Sequence, residues 1–344
     1  MAARPSRSIP ALAGLLLAVV LAACSAAPAA TPTPAPATPI PSTAPVATAE
    51  PTAAPTEATT PAPLFPVELT DDEGGTTTIP AEPARIVSLT PAATEILFEL
   101  GAGDRLVGKV EDFTPYPEAA AAVPDVARFG SVDVEKIVSL GTELVIAGGN
   151  NFNPPESIKQ LRDLGVPVLV VFAPDIAGAL KDIELIGKAV GRPDEAADIA
   201  GAINQAMDDV KAATAGQTPI RTYYELDASA GFFGPAPDYF GTEMIRIAGG
   251  DPLTSGTAGV YQIEAEQILS FDPEVILLGD AAYGVTPEQV VARPGWDTLT
   301  AVKNGDVRPI DDVIVTRPGP RLAEGIRALA VAINPDLVLP SPAP

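Results

Sequence analysis

The sequence predicts an α/β protein made of two lobes of similar build, with mostly parallel sheets, connected by one long helix. Residues 135–148, EKIVSLGTELVIAG, are echoed 131 residues later by residues 266–279, EQILSFDPEVILLG. In each copy a short amphipathic run is followed by a turn and then by an apolar run typical of a fully buried parallel strand. Between the copies lies a segment with helical periodicity, in the position where a connection between two lobes belongs.

An export signal opens the chain. Arg4 and Arg7 precede an uncharged apolar stretch, 9–23, that is too short to span a membrane and that ends in Leu21-Ala22-Ala23-Cys24. Small residues directly before a cysteine suit a bacterial lipoprotein peptidase. We therefore predict a signal peptide at 1–23 and lipidation of Cys24. A buried structural cysteine is the alternative, but Cys24 is the only cysteine and stands at the cleavage position, so no disulfide is expected.

A tether follows the lipidated residue. Residues 24–63 consist almost wholly of Ala, Pro and Thr, a composition that cannot bury a core and that samples extended polyproline-like conformations. The folded protein is therefore expected to begin near residue 64.

The N-terminal lobe is assigned to residues 64–190. It begins with a predicted β-hairpin at 65–79, where two β-prone runs flank Asp-Asp-Glu-Gly-Gly. A buried strand at 85–89 then leads into a helix with Thr90 as its N-cap and Pro91 at its first position, and the N-terminus of this helix is suited to face a ligand. The later elements are a helix at 156–164, a strand at 166–172 and a helix at 179–190.

The connecting helix is assigned to residues 191–215 and the C-terminal lobe to residues 216–340. About twenty helical residues from Pro193 onward span about 30 Å. Their apolar positions mark one packed face: Ala196, Ile199, Ala200, Ile203, Met207 and Val210. Besides the second copy of the repeat, the C-terminal lobe is predicted to contain strands at 221–226 and 307–310, helices at 239–248 and 320–333, and a mostly helical segment at 287–302.

Charge and histidine content exclude several functions. The chain has 21 Lys+Arg against 44 Asp+Glu, a formal net charge of −23, and no histidine. Nucleic acid is a poor partner for such a chain in the absence of a basic stripe. The lack of histidine removes Ser-His-Asp and Cys-His nucleophiles and the usual imidazole metal sites. A carboxylate-only glycoside hydrolase remains an alternative, although no single pair of carboxylates stands out.

Several segments together resemble the substrate-binding lipoproteins of ABC importers for cobalamin, ferric siderophores and haem. They are RIVSLTPAATEILFELGAGDRLVGK at 85–109, TPYPEAA at 114–120, SVDVEKIVSLGTELVIAG at 131–148, EAEQILSFDPEVILLG at 264–279 and WDTLTAVKNGDV at 296–307. The likeness covers nearly all of residues 65–333. It implies two Rossmann-like lobes joined by one long rigid helix, a ligand held in the cleft between them, and little hinge motion. It implies no enzymatic activity and no cofactor of the protein's own, although the ligand itself would contain cobalt or iron.

The resemblance also gives the repeat a function. One glutamate on each lobe of such a protein docks to arginines of a dimeric permease, and by position these are Glu135 and Glu266. Each opens a helix, where the helix dipole favours but does not require a negative charge. Two structural carboxylates are therefore the alternative interpretation.

The ligand is less well defined by the sequence. Related cobalamin binders often line the cleft with several tryptophans, whereas this chain has only Trp296, for which burial is expected. We predict that the cleft uses other side chains in loops: Tyr116, Arg128, Phe129, Phe152, Phe232, Phe233, Tyr261, Asp312 and Arg317. Aromatic side chains favour a large flat ligand such as a corrinoid. A ferric siderophore ranks second because few arginines are available, and haem ligated by Tyr116 or Tyr261 ranks third.

The expected protein is thus an exported monomer, lipid-anchored on the extracytoplasmic face of the cell membrane, with an ABC permease dimer as its partner. Two other classes remain open. A carboxylate-based surface hydrolase predicts two carboxyl groups about 5 to 10 Å apart in the cleft. A structural surface lipoprotein predicts no cleft at all.

Overall fold

The β-hairpin that opens the folded body is present in the computed structural model, which describes residues 64–149, 152–254 and 262–341. Strand β1 (Val67–Thr70) pairs antiparallel with β2 (Thr76–Ile79). In the turn between them, the buried Asp71 carboxylate accepts hydrogen bonds from the backbone NH of Gly75 at 2.7 Å and from Nη2 of Arg162 at 2.9 Å. The hairpin is therefore tied to the lobe that follows it.

The N-terminal lobe is a six-stranded sheet in the order β6-β5-β4-β3-β7-β8, parallel except for the β5–β6 pair. Its elements are β3 (Ile86–Ser88), α1 (Pro91–Glu99), β4 (Leu106–Val110), β5 (Asp125–Arg128), β6 (Ser131–Val132), α2 (Val134–Ser139), β7 (Leu144–Ala147), α3 (Pro155–Asp163), β8 (Val168–Val170) and α4 (Ile176–Ala189). The hydroxyl group of Thr90 accepts from the backbone NH of Ala93 at 3.2 Å, which confirms the predicted N-cap.

The C-terminal lobe is built on a four-stranded parallel sheet in the order β11-β9-β13-β14. After the connecting helix α5 (Pro193–Thr214), its elements are β9 (Ile220–Glu225), β10 (Phe232–Phe233), α6 (Phe240–Ile247), β11 (Gly250–Pro252), β12 (Gln262–Ile263), α7 (Ala265–Phe271), β13 (Val275–Leu278), α8 (Pro287–Val291), α9 (Thr300–Asn304), β14 (Val307–Pro309), α10 (Val313–Thr316) and α11 (Leu322–Ile333). A small antiparallel ribbon pairs β10 with β12.

The connecting helix α5 is packed between the lobes. Its buried residues Ala196, Ile203 and Val210 belong to one hydrophobic cluster that also contains residues of α4 and α11, so the core is continuous from lobe to lobe. Close packing of this kind resists relative movement. The predicted fold class, two Rossmann-like lobes joined by one long helix, is confirmed.

Both copies of the repeat fold as predicted, and they share a structural contact. The β7 and β13 strands are fully buried. The side-chain nitrogen Nε of Arg85 donates to the carbonyl of Leu140, and that of Arg221 donates to the carbonyl of Asp272 at 2.9 Å. The second glutamate of each copy of the repeat is Glu143 or Glu274. It accepts a hydrogen bond from a backbone NH at the start of the neighbouring strand. These glutamates therefore fix the strand starts.

The segment at 287–302, predicted to be mostly helical, contains two helices separated by a turn. Helix α8 ends at Val291, a 3-10 turn follows at Trp296–Thr298, and α9 begins at Thr300. Pro294 cannot continue a hydrogen-bonded helix, and Gly295 adopts φ +81°, which glycine tolerates at little cost. The break places Trp296 in the core at 1% exposure, as expected for that residue.

Residues 1–63, which include Cys24 and the tether, lie outside the described residues. Within residues 64–149, 152–254 and 262–341, no helix has both the length and the apolar character needed to cross a membrane.

Candidate functional site

A cavity of about 850 Å³ is lined by both lobes. This volume lies in the upper part of the range of about 300–1,000 Å³ that is typical of small-molecule sites. The N-terminal lobe contributes the start of α1 and the loops after β5, β7 and β8, and the C-terminal lobe contributes the loop before α6 and the segment after α10. The lining residues are Thr90, Pro91, Ala92, Ala93, Ile96, Phe129, Gly148, Phe152, Val171, Phe172, Ala173, Pro174, Asp182, Asp238, Tyr239, Phe240, Thr316, Arg317 and Pro318.

Aromatic rings make up much of the cavity wall. Phe129 is 80% exposed, and Phe152 and Phe172 are about 40% exposed with their ring centroids 6.4 Å apart. The rings of Tyr239 and Phe240 pack at a tilt of 54° on the side of the C-terminal lobe, with their centroids 4.5 Å apart. Exposed aromatic side chains are costly to leave in water and supply large contact areas with little loss of conformational entropy. The wall is therefore suited to a large, partly apolar ligand.

Four charged residues form an interlobe ion cluster at the edge of the cavity: Glu95, Asp112, Arg317 and Arg321. Glu95, 2% exposed, accepts from Nη1 of Arg317 at 2.8 Å and from Nε and Nη2 of Arg321 at 3.0 and 2.9 Å. Asp112 accepts from Nη1 and Nη2 of Arg317 at 3.0 and 2.7 Å. The two carboxylates come from one lobe and the two guanidinium groups from the other. The positive charge of Arg317 is thus balanced by protein carboxylates.

Asp182, 4% exposed, is a buried acid in the wall of the cavity. Its Oδ1 atom has no hydrogen-bond partner among the described residues. Burial, followed by the hydrogen bond to Asp72 and its negative charge, raises the pKa of Asp182 to about 9. The carboxyl group is consequently neutral at physiological pH.

Three of the predicted ligand-binding residues, Phe129, Phe152 and Arg317, line the cavity. Five others do not: Tyr116, Arg128, Phe232, Phe233 and Asp312. Tyr261 lies outside the described residues. The assignment of these nine residues to ligand binding stays a prediction.

Two of the predicted residues contact protein groups instead of the cavity. The Tyr116 ring lies 4.0 Å from the guanidinium carbon of Arg321, an arrangement that stabilises both groups. Asp312 accepts a hydrogen bond from the hydroxyl group of Tyr224 at 2.6 Å. Burial raises the pKa of Asp312 above its usual value, although the hydrogen bonds from Tyr224 and Thr316 oppose that shift.

Arg128 is exposed beside a second, shallow cavity of about 370 Å³ that also contains Glu111, Asp125 and Asp133. It is the last residue of β5, whereas its neighbour Phe129 lies in the wall of the large cavity. Successive residues of an extended segment point to opposite sides, which explains the separation.

Phe232 packs inside the C-terminal lobe. Its ring lies 5.1 Å from the ring of Trp296 and 5.1 Å from the guanidinium carbon of Arg293. Arg293 in turn makes two hydrogen bonds, 2.6 and 2.7 Å, to the fully buried carboxylate of Glu225. Phe233, which is partly exposed, is held by the pairing of β10 with β12.

Sequence reasoning missed several cavity residues, among them Phe172, Tyr239 and Asp182. A signal for Asp182 was present in the sequence. It stands three residues after Ala179 and four before Ile186, both of which are buried, so an acid occupies the apolar face of α4. No comparable signal identifies Phe172, because an aromatic residue just after a buried strand is also typical of a core.

Glu135 and Glu266 are both exposed, in the first turns of α2 and α7. Neither makes an ion pair with another residue in the described part of the chain. Their negative charges are therefore accessible on the surface, in first helical turns, where the helix dipole favours a carboxylate.

Comparison with known proteins agrees with this architecture. The pattern of the periplasmic binding protein family matches residues 86–313. An uncharacterised ABC transporter substrate-binding lipoprotein of Bacillus subtilis, YvrC, is 34% identical over 278 residues, covering 79% of this chain and 87% of that protein.

Solved structures give the same result. The periplasmic vitamin B12 binding protein BtuF of Vibrio cholerae superposes with a TM-score of 0.63 at 27% identity, covering 73% of this chain and 97% of that one. The periplasmic heme-binding protein RhuT of Roseiflexus sp. RS-1 also superposes with a TM-score of 0.63, at 25% identity, covering 72% of this chain and 97% of that one. The chain therefore belongs to the periplasmic binding protein family, as its sequence resemblance predicted, and is a substrate-binding transport protein rather than an enzyme.

Proposed function

We propose that this protein binds a corrinoid of the cobalamin type in the cleft and delivers it to an ABC importer. The observation that carries this proposal is the chemistry of the cavity, which has an aromatic wall and, among the described residues that line it, no cation available for the ligand. Among the described residues that line it, Arg317 is the only cationic one, and Glu95 and Asp112 already bind its guanidinium group. A corrinoid offers a large flat ring with amide side chains and needs no cluster of arginines.

A strongly anionic ferric siderophore fits this cavity less well. It would lie near the exposed Asp238, and the described lining residues include no unpaired arginine to balance its charge. Haem carries two carboxylates and requires an axial ligand. Tyr116 lies under Arg321 and does not line the cavity. Tyr239 does line it, with its hydroxyl group 3.3 Å from the carbonyl oxygen of Thr316. Haem ligated by Tyr239 is therefore the second candidate.

Calorimetric titration of the purified soluble body, residues 64–344, with cyanocobalamin, haemin and a ferric hydroxamate siderophore tests the proposal. We expect saturable one-to-one binding of cyanocobalamin and much weaker binding of the other two. Tight binding of haemin, accompanied by the absorption spectrum of tyrosine-ligated haem, would mean that the ligand is haem and not a corrinoid. Binding of the siderophore alone would contradict both.

We further propose that Glu135 and Glu266 dock to basic patches of a two-subunit permease, one patch for each lobe. Both carboxylates are exposed and unpaired with other described residues, and surface charges that are not used for stability are suited to recognition of a partner. The proposed anchor is a lipid at Cys24, which would hold the protein on the extracytoplasmic face of the membrane.

Variants Glu135→Ala and Glu266→Ala test the docking. Each should leave the free energy of unfolding unchanged to within about 0.5 kcal/mol. Transport in membrane vesicles should fall, most in the double variant, and the wild-type interaction should weaken with salt. Glu195→Ala on the connecting helix is a matched control, since Glu195 is also exposed. Normal transport by the double variant would contradict the docking role.

The anchor has a separate test. Cys24→Ala should move the protein from the membrane fraction to the soluble fraction without changing its melting temperature. Retention of this variant in washed membranes would contradict the anchor.

A further inference from the structure

The strongest observation that the family does not account for is the buried acid in the cavity wall. Asp182 lies in the middle of α4, on the face that packs into the core. It lines the cavity, is 4% exposed, and has an oxygen atom, Oδ1, without a partner among the described residues. Leaving a buried polar atom without a hydrogen bond is unfavourable, so such an atom calls for an explanation.

The neighbours of Asp182 decide which form the carboxyl group takes. Asp72 accepts a hydrogen bond from the backbone NH of Phe172 at 2.7 Å and one from Nζ of Lys181 at 2.5 Å. Partial burial alone would raise the pKa of Asp72, but hydrogen bonds from Asp182, Lys181 and Phe172 lower it. Asp72 is therefore ionised, and Asp182 holds the proton of the pair.

The other charged residues near Asp72 and Asp182 either form ion pairs or are exposed to solvent. Asp71, beside Asp72, pairs with Arg162 at 2.9 Å. In the rest of the cavity wall, Asp238 is exposed, and Arg317 is bound within the interlobe ion cluster. Among the described residues, the cation whose charge lowers the pKa of Asp182 is Lys181, and Asp72 already binds it.

We propose that Asp182 is a ligand-binding residue and that its Oδ1 atom accepts a hydrogen bond from a primary amide of the ligand. Asp182 donates its proton to Asp72, so Oδ1 is left as an acceptor without a partner among the described residues. A primary amide supplies an N–H donor for this oxygen, and neither group carries a charge into the cavity. A carboxylate of the ligand would instead meet the acceptor oxygen of Asp182 with no donor of its own. This inference rests on the proposed function and specifies which part of the corrinoid is recognised.

Three variants test the proposal in the soluble body with cyanocobalamin as the probe. Asp182→Leu keeps the size of the side chain but removes donor and acceptor, so affinity should fall about tenfold. Asp182→Asn keeps both a donor and an acceptor, so affinity should stay within about twofold of wild type. Glu184→Gln, an exposed acid on the same helix, is the matched control and should have no effect.

A pH series gives a second measurement, which does not depend on the leucine variant being folded. Wild-type affinity should fall between about pH 7 and about pH 10, because ionised Asp182 can no longer donate to Asp72 and its negative charge would be buried under the ligand, while the asparagine variant should keep its affinity. Parallel curves for the two proteins would overturn the proposal.

Infrared spectroscopy of the ligand-free protein separates the failure of this inference from failure of the proposed function. The carbonyl band of a protonated carboxylic acid should be present at neutral pH and absent from Asp182→Asn. If wild-type protein binds no cyanocobalamin, the proposed function fails and the amide pairing fails with it. If wild-type and Asp182→Leu bind it equally, or if the infrared band is missing, only the assignment of Asp182 is overturned.

Discussion

The carboxyl ends of the central strands differ between the two lobes, although the strands themselves are related by the repeat. In the N-terminal lobe, Thr90 lies just after β3 and Gly148 just after β7, and both line the cavity. In the C-terminal lobe, the corresponding end of β9 carries Glu225, and Asp280 follows β13. Glu225 is bound by Arg293, over which Trp296 packs at 4.6 Å. In the N-terminal lobe these strand ends border the cavity, and in the C-terminal lobe they are covered by protein side chains.

The two lobes make the same contacts at the opposite, amino ends of their strands. Arg85 and Arg221 each donate to the turn after the repeated helix, and Glu143 and Glu274 each accept a backbone NH. The two lobes therefore share the contacts that build the sheet and differ in the residues at the cavity-facing edge. In parallel α/β sheets that edge is where ligands bind, so it is free to diverge with function.

The largest expected effect is on the buried ion pair of the C-terminal lobe. Glu225→Ala should destabilise the protein by about 3 kcal/mol or more, because Arg293 loses two hydrogen bonds and its charge is left uncompensated. Ligand affinity of the remaining folded protein should not change, since neither residue lines the cavity. Urea denaturation and calorimetry measure the two quantities. Glu143→Ala, which removes an exposed carboxylate, is the control and should cost less than about 1 kcal/mol.

The paired glycines of the repeat give the next effect. In Gly279→Ala the new Cβ would lie 3.0 Å from the backbone oxygen of Glu225 and 2.8 Å from Oη of Tyr224, so stability should fall by about 1–3 kcal/mol without loss of affinity. In Gly148→Ala it would meet Cγ2 of Thr90 at 2.3 Å, in the cavity wall, and ligand affinity should fall about tenfold. If the two variants changed stability and ligand affinity equally, the proposed difference between a ligand-binding edge in one lobe and a structural edge in the other would be contradicted.

The third effect is a pH dependence of stability that comes from Asp280, at the carboxyl edge of the C-terminal sheet. Burial, followed by the negative charge of Glu225, raises the pKa of Asp280 from 3.8 to about 6. A raised pKa in the folded state means that stability is greatest below the unfolded pKa and falls as pH rises through the folded pKa. Asp280→Asn should therefore gain stability over wild type between about pH 4 and about pH 6, by at most about 1.4 kcal/mol per pH unit. Asp297→Asn, at an exposed site, should follow the wild-type melting curve.

The smallest expected effect distinguishes two phenylalanines. Phe129→Ala should weaken ligand binding by about 1 kcal/mol at unchanged melting temperature, because the ring is 80% exposed and lines the cavity. Phe232→Ala should lower the melting temperature at unchanged affinity, because this ring packs on Trp296. A loss of affinity in the Phe232 variant would show that the C-terminal strand edge takes part in binding.

The sequence by itself determined the scaffold. The spacing of apolar residues, together with turn and capping residues, predicted the hairpin, the Thr90 cap, both copies of the repeat and the long helix. These features depend on local spacing, burial and capping. The family also follows from the sequence, since several motifs in the right order are specific together.

The tertiary structure alone decided which of the aromatic and charged residues reach the cavity. Phe129 and Phe232 are indistinguishable as loop aromatics, yet one lines the cavity and the other packs on Trp296. Arg317 reads as a free cation until Glu95, 222 residues away along the chain, is seen to bind it. Contacts between distant segments depend on how the lobes pack together, and local sequence patterns carry no information about that packing. Burial and partners, which set the charge and the role of each site residue, are therefore properties of the assembled fold.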